Sequence, residues 1–124
     1  MNSNNDNDTN VITEIVKLYF NGTYQGDAEQ LKRAFHADAH ITGILNGEYF
    51  DWTLSDFITR VTIIPAPNMQ AEKYDKEIIF IDKTKNAALV KARVVVGPYI
   101  FIDYIILLKI NGRWIIRNKS FSTS

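Results

Sequence analysis

The stretch that decides the fold is Ile100–Phe121, IFIDYIILLKINGRWIIRNKSF. Two apolar runs flank Asn111-Gly112, a dipeptide that favours the tight two-residue turn between antiparallel strands. Side chains alternate between the faces of a strand, so Leu107 and Leu108 lie on opposite faces, as do Ile115 and Ile116. Both faces of this hairpin are therefore apolar, and both need a cover. The charges that interrupt it have to be placed as well. Arg113, Arg117 and Lys119 alternate along the last strand and are read as solvated or at a rim.

Working outward, the chain before this hairpin is also strand-rich. A strand is expected over about Glu72 to Asp82, a polar turn at KTKN, a strand over Ala87–Val96 and a break at Gly97-Pro98. A second Asn-Gly, at Asn46-Gly47, joins an extended segment from Ala39 to Leu45 to the residues EYFDW. Three helices complete the pattern. Val11, Ile12, Ile15, Val16, Tyr19 and Phe20 recur at helical spacing and predict a helix to about Tyr24, ended by Gly26. Asp27, with Gln30 three residues on, opens a second helix that buries Leu31, Ala34 and Phe35, and the segment HADA (36–39) leaves it. Thr53 and Asp56 start a third, with Leu54, Phe57, Ile58 and Val61 inward and Pro65 and Pro67 as stops. The order α-α-β-β-α-β-β-β-β is an α+β plan, with helices on one face of a curved, mostly antiparallel sheet. Those helices cover one face only. The other is expected to be covered by a second copy of the chain, giving a homodimer through the outer sheet face.

The segment MNSNNDNDTN is too polar to bury and is expected to be a disordered tail, residues 1–10, ahead of a single domain over 11–124. Lys plus Arg and Asp plus Glu both number 14, which leaves no positive excess for sequence-independent nucleic-acid binding. There is no cysteine, so thiol catalysis, disulfides and thiolate metal sites are excluded. No apolar run reaches the length of a membrane span, and the start lacks the apolar stretch of a signal peptide. A cytoplasmic protein is the resulting expectation. No phosphate-cradling glycine loop, nucleotide fingerprint or Ser-His-Asp set is present, and no cofactor is expected.

The stretches IVKLYFNGTYQGDAEQLKRAFHADAHITG, AALVKARVVV and FIDYIILLKINGRWIIRNKSF resemble the nuclear transport factor 2-like (NTF2-like, SnoaL-like) superfamily. Within it the chain looks most like the group labelled putative lumazine-binding. The residues that carry this are Tyr19, Gly22, Gly26, Asp27, Phe35, His36, Asp38, Ala39, Asp103, Tyr104, Lys109, Gly112 and Trp114. The resemblance implies a cone-shaped α+β fold around an apolar pocket, shared with ketosteroid isomerase. It also implies a test of that chemistry. Tyr19 falls at the isomerases' first-helix tyrosine, but Gly43 stands at the general-base position and Ile106 at the second, acidic, oxyanion donor. Carbon-acid chemistry of that kind needs one carboxyl to take a proton and another to donate a hydrogen bond, so isomerase activity by that mechanism is not expected.

The candidate site therefore rests on other residues. Tyr19 presents a phenol from an apolar stripe, either as a core residue with a structural hydrogen bond or as a ligand donor. His36 and His40 flank a helix end, with Asp38 between them; this matches no metal signature, and His36 with Asp38 is read as fixing the corner, with no metal expected. Asp103, flanked by apolar residues, must be paired if buried, and Arg93 is its expected partner with Lys91 on the same face. Alignment with the isomerases places Lys91, Arg93 and Val95 on the concave side and Ala88, Val90, Ala92 and Val94 on the dimer side. Trp52 and Phe57, near the turn into the third helix, are the expected aromatic lining, and Tyr104 the second hydroxyl. The leading expectation is a small-molecule ligand held by Tyr19, Tyr104, Arg93 and Asp103. The alternatives are an enzyme of the same fold acting on a compact cyclic substrate, with Asp103 or His40 as base, or an interaction module whose interior is filled.

Overall fold

The computed structural model describes residues 3–63, Ala66 and residues 73–124. Among these, the elements are α1 (Ser3–Gln25), α2 (Ala28–Ala34), β1 (Phe35–Leu45), β2 (Glu48–Thr53), α3 (Leu54–Ile63), β3 (Tyr74–Thr84), β4 (Ala87–Val96), β5 (Tyr99–Ile110) and β6 (Arg113–Thr123). The strands form one six-stranded sheet in the order β2-β1-β6-β5-β4-β3. Every neighbouring pair is antiparallel except β1 and β6, which run parallel. The hairpin β5–β6 thus lies at the centre of the sheet. The α+β order expected from the sequence is the one observed.

Local chemistry sets the element boundaries. Both Asn-Gly turns have positive φ at both central residues (Asn46 49°, Gly47 86°; Asn111 51°, Gly112 79°), the geometry whose twist matches a β-hairpin. α2 is capped by Asp27, whose Oδ1 accepts from the backbone N–H of Glu29 at 3.0 Å, while the Gln30 side chain donates to its other oxygen at 3.0 Å. Thr53 Oγ1 accepts from the Asp56 N–H at 3.1 Å and opens α3. The prolines expected to stop α3, Pro65 and Pro67, and the expected start of β3 at Glu72 lie outside the described residues.

Two boundaries differ from expectation. α1 begins at Ser3 rather than Val11, so Asp8, Thr9 and Asn10, read as disordered tail, are helical. The cause is Asp8, whose Oδ1 accepts from the Trp114 indole N–H at 3.0 Å and from Lys109 Nζ at 3.4 Å, with Lys83 Nζ 3.6 Å from Oδ2. A carboxylate with an indole donor and two ammonium partners anchors this early part of α1 on strands β3, β5 and β6. The other is HADA, which starts β1 directly instead of forming a separate connection. Its corner is fixed by the Asp38 N–H donating to His36 Nδ1 at 3.0 Å and by Arg117 donating to the Asp38 carbonyl at 3.0 Å.

The core lies between the helices and the inner sheet face. Ile12, Val16 and Phe20 of α1, Leu31 of α2 and Phe57 of α3 pack on Ile41, Val90, Ile105, Leu107 and Ile116. The inner face of β4 is Ala88, Val90, Ala92 and Val94, the reverse of the assignment taken from the isomerase alignment. A one-residue slip exchanges the two faces of a strand. Physically the observed choice follows from side-chain chemistry: Ala and Val bury without cost, whereas Lys91 and Arg93 would enter the core unpaired. Leu107 is fully buried and Leu108 only partly so, as expected for a strand with two apolar faces. On the outer face Ile44, Phe80, Tyr104 and Ile110 remain exposed.

Candidate functional site

The site is made by an irregularity in β6. Leu107 of β5 pairs with Ile116, but Ile106 pairs with Asn118, so Arg117 is an extra residue without a partner in β5. Beyond such a bulge the alternation of faces is reversed. Trp114 and Ile116 point inward before it, and Lys119 and Phe121 point inward after it. Lys119, read from the sequence as a solvated charge in step with Arg113 and Arg117, is consequently 5 % exposed. Asp103, in step with the inward Ile105 and Leu107 of β5, is 1 % exposed. Helical spacing on α1 carries Tyr19, four per cent exposed, to the same place.

These three side chains form a chain of short polar contacts. Lys119 Nζ donates to the Tyr19 hydroxyl at 2.7 Å, and Tyr19 donates to Asp103 Oδ2 at 2.6 Å. Lys119 Nζ and Asp103 Oδ2 are 4.0 Å apart, so the phenol bridges the two charges. The ammonium is otherwise surrounded by rings, 4.4 Å from the centroid of Tyr19, 4.8 Å from Phe57 and 5.5 Å from Phe121. The second carboxylate oxygen of Asp103, Oδ1, is buried and has no hydrogen-bond partner among the described residues.

Burial shapes the proton affinities. It holds the Lys119 amine below the usual lysine range, with the nearby Asp103 carboxylate acting in the opposite direction. Burial likewise pushes the Tyr19 phenol well above its ordinary value, reinforced by the charge of Asp103 and its hydrogen bond. Tyr74, which donates to the Phe20 carbonyl at 2.9 Å, is raised first by burial and then by Asp103.

The triad forms part of the wall of a cavity of about 360 Å³. That volume is within the range of small-ligand pockets. The aromatic side chains of Trp52, Phe57, Phe101 and Phe121 and the aliphatic Val94 and Val96 make its wall mostly apolar, with Thr23, Arg60 and Tyr99 adding polar groups. Trp52 and Phe121 stack with ring centroids 6.2 Å apart, and the Arg60 guanidinium lies 4.7 Å over the Trp52 ring. Gly43 explains how the Phe121 ring fits: a Cβ there would sit 2.4 Å from it. The position aligned with the isomerases' general base is thus filled by a neighbour's ring.

Of the eight residues expected at the site, Tyr19, Trp52, Phe57 and Asp103 line the cavity. The remaining four lie elsewhere. His40 pairs its Nδ1 with Asp51 Oδ1 at 2.8 Å on the exposed side of the sheet. Lys91 lies 5.5 Å over the ring of the exposed Tyr104, and Arg93 sits 3.8 Å from Asp75 instead of pairing with Asp103. All four follow from strand parity, since Arg93 pairs across β5 with Ile102 while Asp103 stands opposite Ala92. Ile106, aligned with the isomerases' second donor, is in step with Leu108 on the outer face. The carboxyl beside Tyr19 is that of Asp103. Among the lining residues not anticipated are the two cations, Lys119 and Arg60. For Lys119 a signal exists: the apolar positions of β6 change parity between Ile116 and Phe121, and Lys119 shares the parity of Phe121.

Among the described residues, no three histidine or acidic side chains come together as a metal-binding group, and no helix is long and apolar enough to cross a membrane. Comparison with known proteins agrees with this architecture. A solved NTF2-like protein of unknown function from Silicibacter pomeroyi superposes with a TM-score of 0.86 at 21% identity, covering 100% of both chains. Another, from Methylobacillus flagellatus, gives a TM-score of 0.85 at 27% identity over 95% of this chain and 93% of its own. An aldolase, FrzH, from a Cladobotryum species is 27% identical over 105 residues, 83% of this chain and 81% of the aldolase. Residues 7–122 match the family described as putative lumazine-binding, so the chain belongs to that family and has the NTF2-like fold.

Proposed function

We propose that the chain binds a compact, largely flat organic molecule in the cavity, with an oxygen or nitrogen function of the ligand held at Tyr19, Asp103 and Lys119. The observation that carries this reading is the buried polar triad in the wall of an otherwise aromatic cavity. A core needing only stability gains little from a buried ion pair, which an apolar set of similar volume replaces at no loss. The free Oδ1 of Asp103 offers an acceptor, Lys119 a donor, and the rings a face to stack on. The family description, which names lumazine, a flat bicyclic carbonyl compound, is consistent with this ligand class.

A second reading has its own support. The same triad is suited to carbonyl chemistry, because Lys119 and Tyr19 can stabilise charge developing on a carbonyl oxygen while Asp103 takes a proton. The similarity to an aldolase favours an enzyme acting on a carbon acid. We also assign the outer sheet face, with Ile44, Phe80, Tyr104 and Ile110 exposed, to contact with a second copy of the chain.

The test is native mass spectrometry of the purified protein combined with titration of lumazine, read by Trp52 fluorescence. A discrete extra mass, or saturable quenching that Val96→Trp abolishes by filling the cavity, is the expected result. Quenching that is unsaturable, or unchanged in Val96→Trp, together with no bound mass, would refute the pocket reading.

A further inference from the structure

We propose that Lys119 forms a Schiff base with an aldehyde or ketone bound in the cavity. The proposal rests on the cavity being a binding site for carbonyl compounds and adds a covalent step to it. Three features of the geometry support it. Lys119 is the lysine whose ammonium both lies in the cavity wall and is enclosed by rings, on Tyr19, Phe57 and Phe121. An amine in such apolar surroundings is more readily neutral, and hence nucleophilic, than one in water. The Tyr19 hydroxyl, 2.7 Å from Nζ and 2.6 Å from Asp103 Oδ2, connects the amine to a base. A buried lysine that served only to neutralise Asp103 would need no such relay and no opening to a cavity.

The steps balance without an oxidant or reductant. The Lys119 ammonium first passes a proton through Tyr19 to Asp103, leaving a neutral amine and a carboxylic acid. The nitrogen pair attacks the carbonyl carbon, the C=O π pair moves to oxygen, and a proton shifts from nitrogen to that oxygen to give a carbinolamine. Asp103, again through Tyr19, returns its proton to the hydroxyl. The C–O bond breaks, water leaves, and the nitrogen pair closes the C=N bond as an iminium cation beside the Asp103 carboxylate. The net change is ammonium plus carbonyl to iminium plus water, with the charge of the pair unchanged. An iminium acidifies the neighbouring C–H, so the substrates that gain from this step are aldehydes and ketones carrying an α-hydrogen.

The experiment uses 1-phenyl-1,3-butanedione, a diketone that condenses with a reactive amine to a conjugated enaminone. Expected are a new near-ultraviolet band, one added mass equal to the probe less one water, and its location on Lys119 by peptide mapping of the wild-type protein. Lys119→Arg should lose the adduct, and Tyr19→Phe should form it at least tenfold more slowly. Quenching of Trp52 by the probe is followed in parallel. Saturable quenching with no adduct on Lys119 would overturn the Schiff base and leave the binding reading standing. An adduct spread over exposed lysines such as Lys17 and Lys32, at a rate unchanged in Lys119→Arg, would overturn it equally. No quenching and no adduct would remove the carbonyl-binding reading, and the proposal with it. Mapping on the wild-type protein gives the answer even if a variant fails to fold.

Discussion

Replacing Lys119 by Met separates a charge pair from a merely well-packed core. Met keeps much of the aliphatic stem against Phe57 and Phe121 but leaves the Asp103 carboxylate, 1 % exposed, with the Tyr19 hydroxyl as its donor among the described residues. At the observed 4.0 Å, two unit charges interact by about 4 kcal/mol at an effective dielectric of about 20. Removing one member of a buried pair costs about 3–5 kcal/mol in comparable cases. Asp103→Asn should cost less, about 2–4 kcal/mol, because its amide oxygen still accepts from Tyr19 while Lys119 loses its counter-charge. In the double variant no unpaired charge remains, and the loss should fall to about 1–2 kcal/mol, giving a coupling of about 4–7 kcal/mol between the two sites. Urea denaturation followed by tryptophan fluorescence reads all four proteins. With a slope near 2 kcal/mol per molar, Lys119→Met should lower the midpoint by about 2 M and the double variant by less than about 1 M. Single effects that simply add, with a coupling below about 1 kcal/mol, would show that Lys119 and Asp103 do not stand as an ion pair.

Three further outcomes follow from the same geometry. Gly43→Ala would place a methyl 2.4 Å from the Phe121 ring and should cost about 1–3 kcal/mol through overpacking, visible as a lower urea midpoint; an unchanged midpoint would mean that the ring moves freely. Tyr19 and Tyr74 hold their protons above the ordinary phenol value of 10.0, so the folded chain binds more protons than the unfolded one as pH rises past about 10. The stability they contribute is complete below that pH and is lost above it, so thermal midpoints should fall there and Tyr74→Phe should reduce the slope of the fall. Lys119 acts in the opposite sense, since its lowered value makes the unfolded chain the better proton binder up to 10.5. Leu107→Asp puts a carboxylate in the core and should unfold the protein, whereas Leu108→Asp should leave a folded monomer in sedimentation analysis. A folded Leu108→Asp protein that sediments like the wild type would refute the proposed contact through the outer sheet face.

The elements were legible because their signals are local. The apolar spacing of α1, the Asp27 and Thr53 caps and the two Asn-Gly turns each act over a few residues and survive in the structure. Which face a strand buries was less legible, because parity is fixed by pairing far along the chain. On β4, alignment put Lys91 and Arg93 inside, while the bare chemistry of an Ala/Val set alternating with charges points outward for them, as observed. Tyr19 and Asp103 read as inward from their apolar neighbours, and Trp52 and Phe57 from their place near the turn into the third helix; all four line the cavity. The start of α1 was missed for the converse reason: Asp8 is held by Lys83, Lys109 and Trp114, on three separate strands, and the last two lie 101 and 106 residues along the chain, beyond the reach of any local pattern.

The bulge at Arg117 connects the fold to the site. It interrupts the ladder between the two central strands and leaves a residue unpaired, and its effect is to turn Lys119, rather than Asn118, into the interior. For stability alone this is a poor exchange. It brings a cation into the core, where desolvation opposes it, and creates a partner requirement met by Asp103 through Tyr19. Local rules of strand pairing, apolar burial and charge solvation are broken together at this point, whereas the register shifts between Phe35 and His40 on β1 and between Ile78 and Phe80 on β3 bring no charge into the described core. Places where several independent rules fail together are where function, rather than folding, selects the residues. The cavity beside Lys119 supplies what such a function requires, room for a ligand next to a buried amine on the wall.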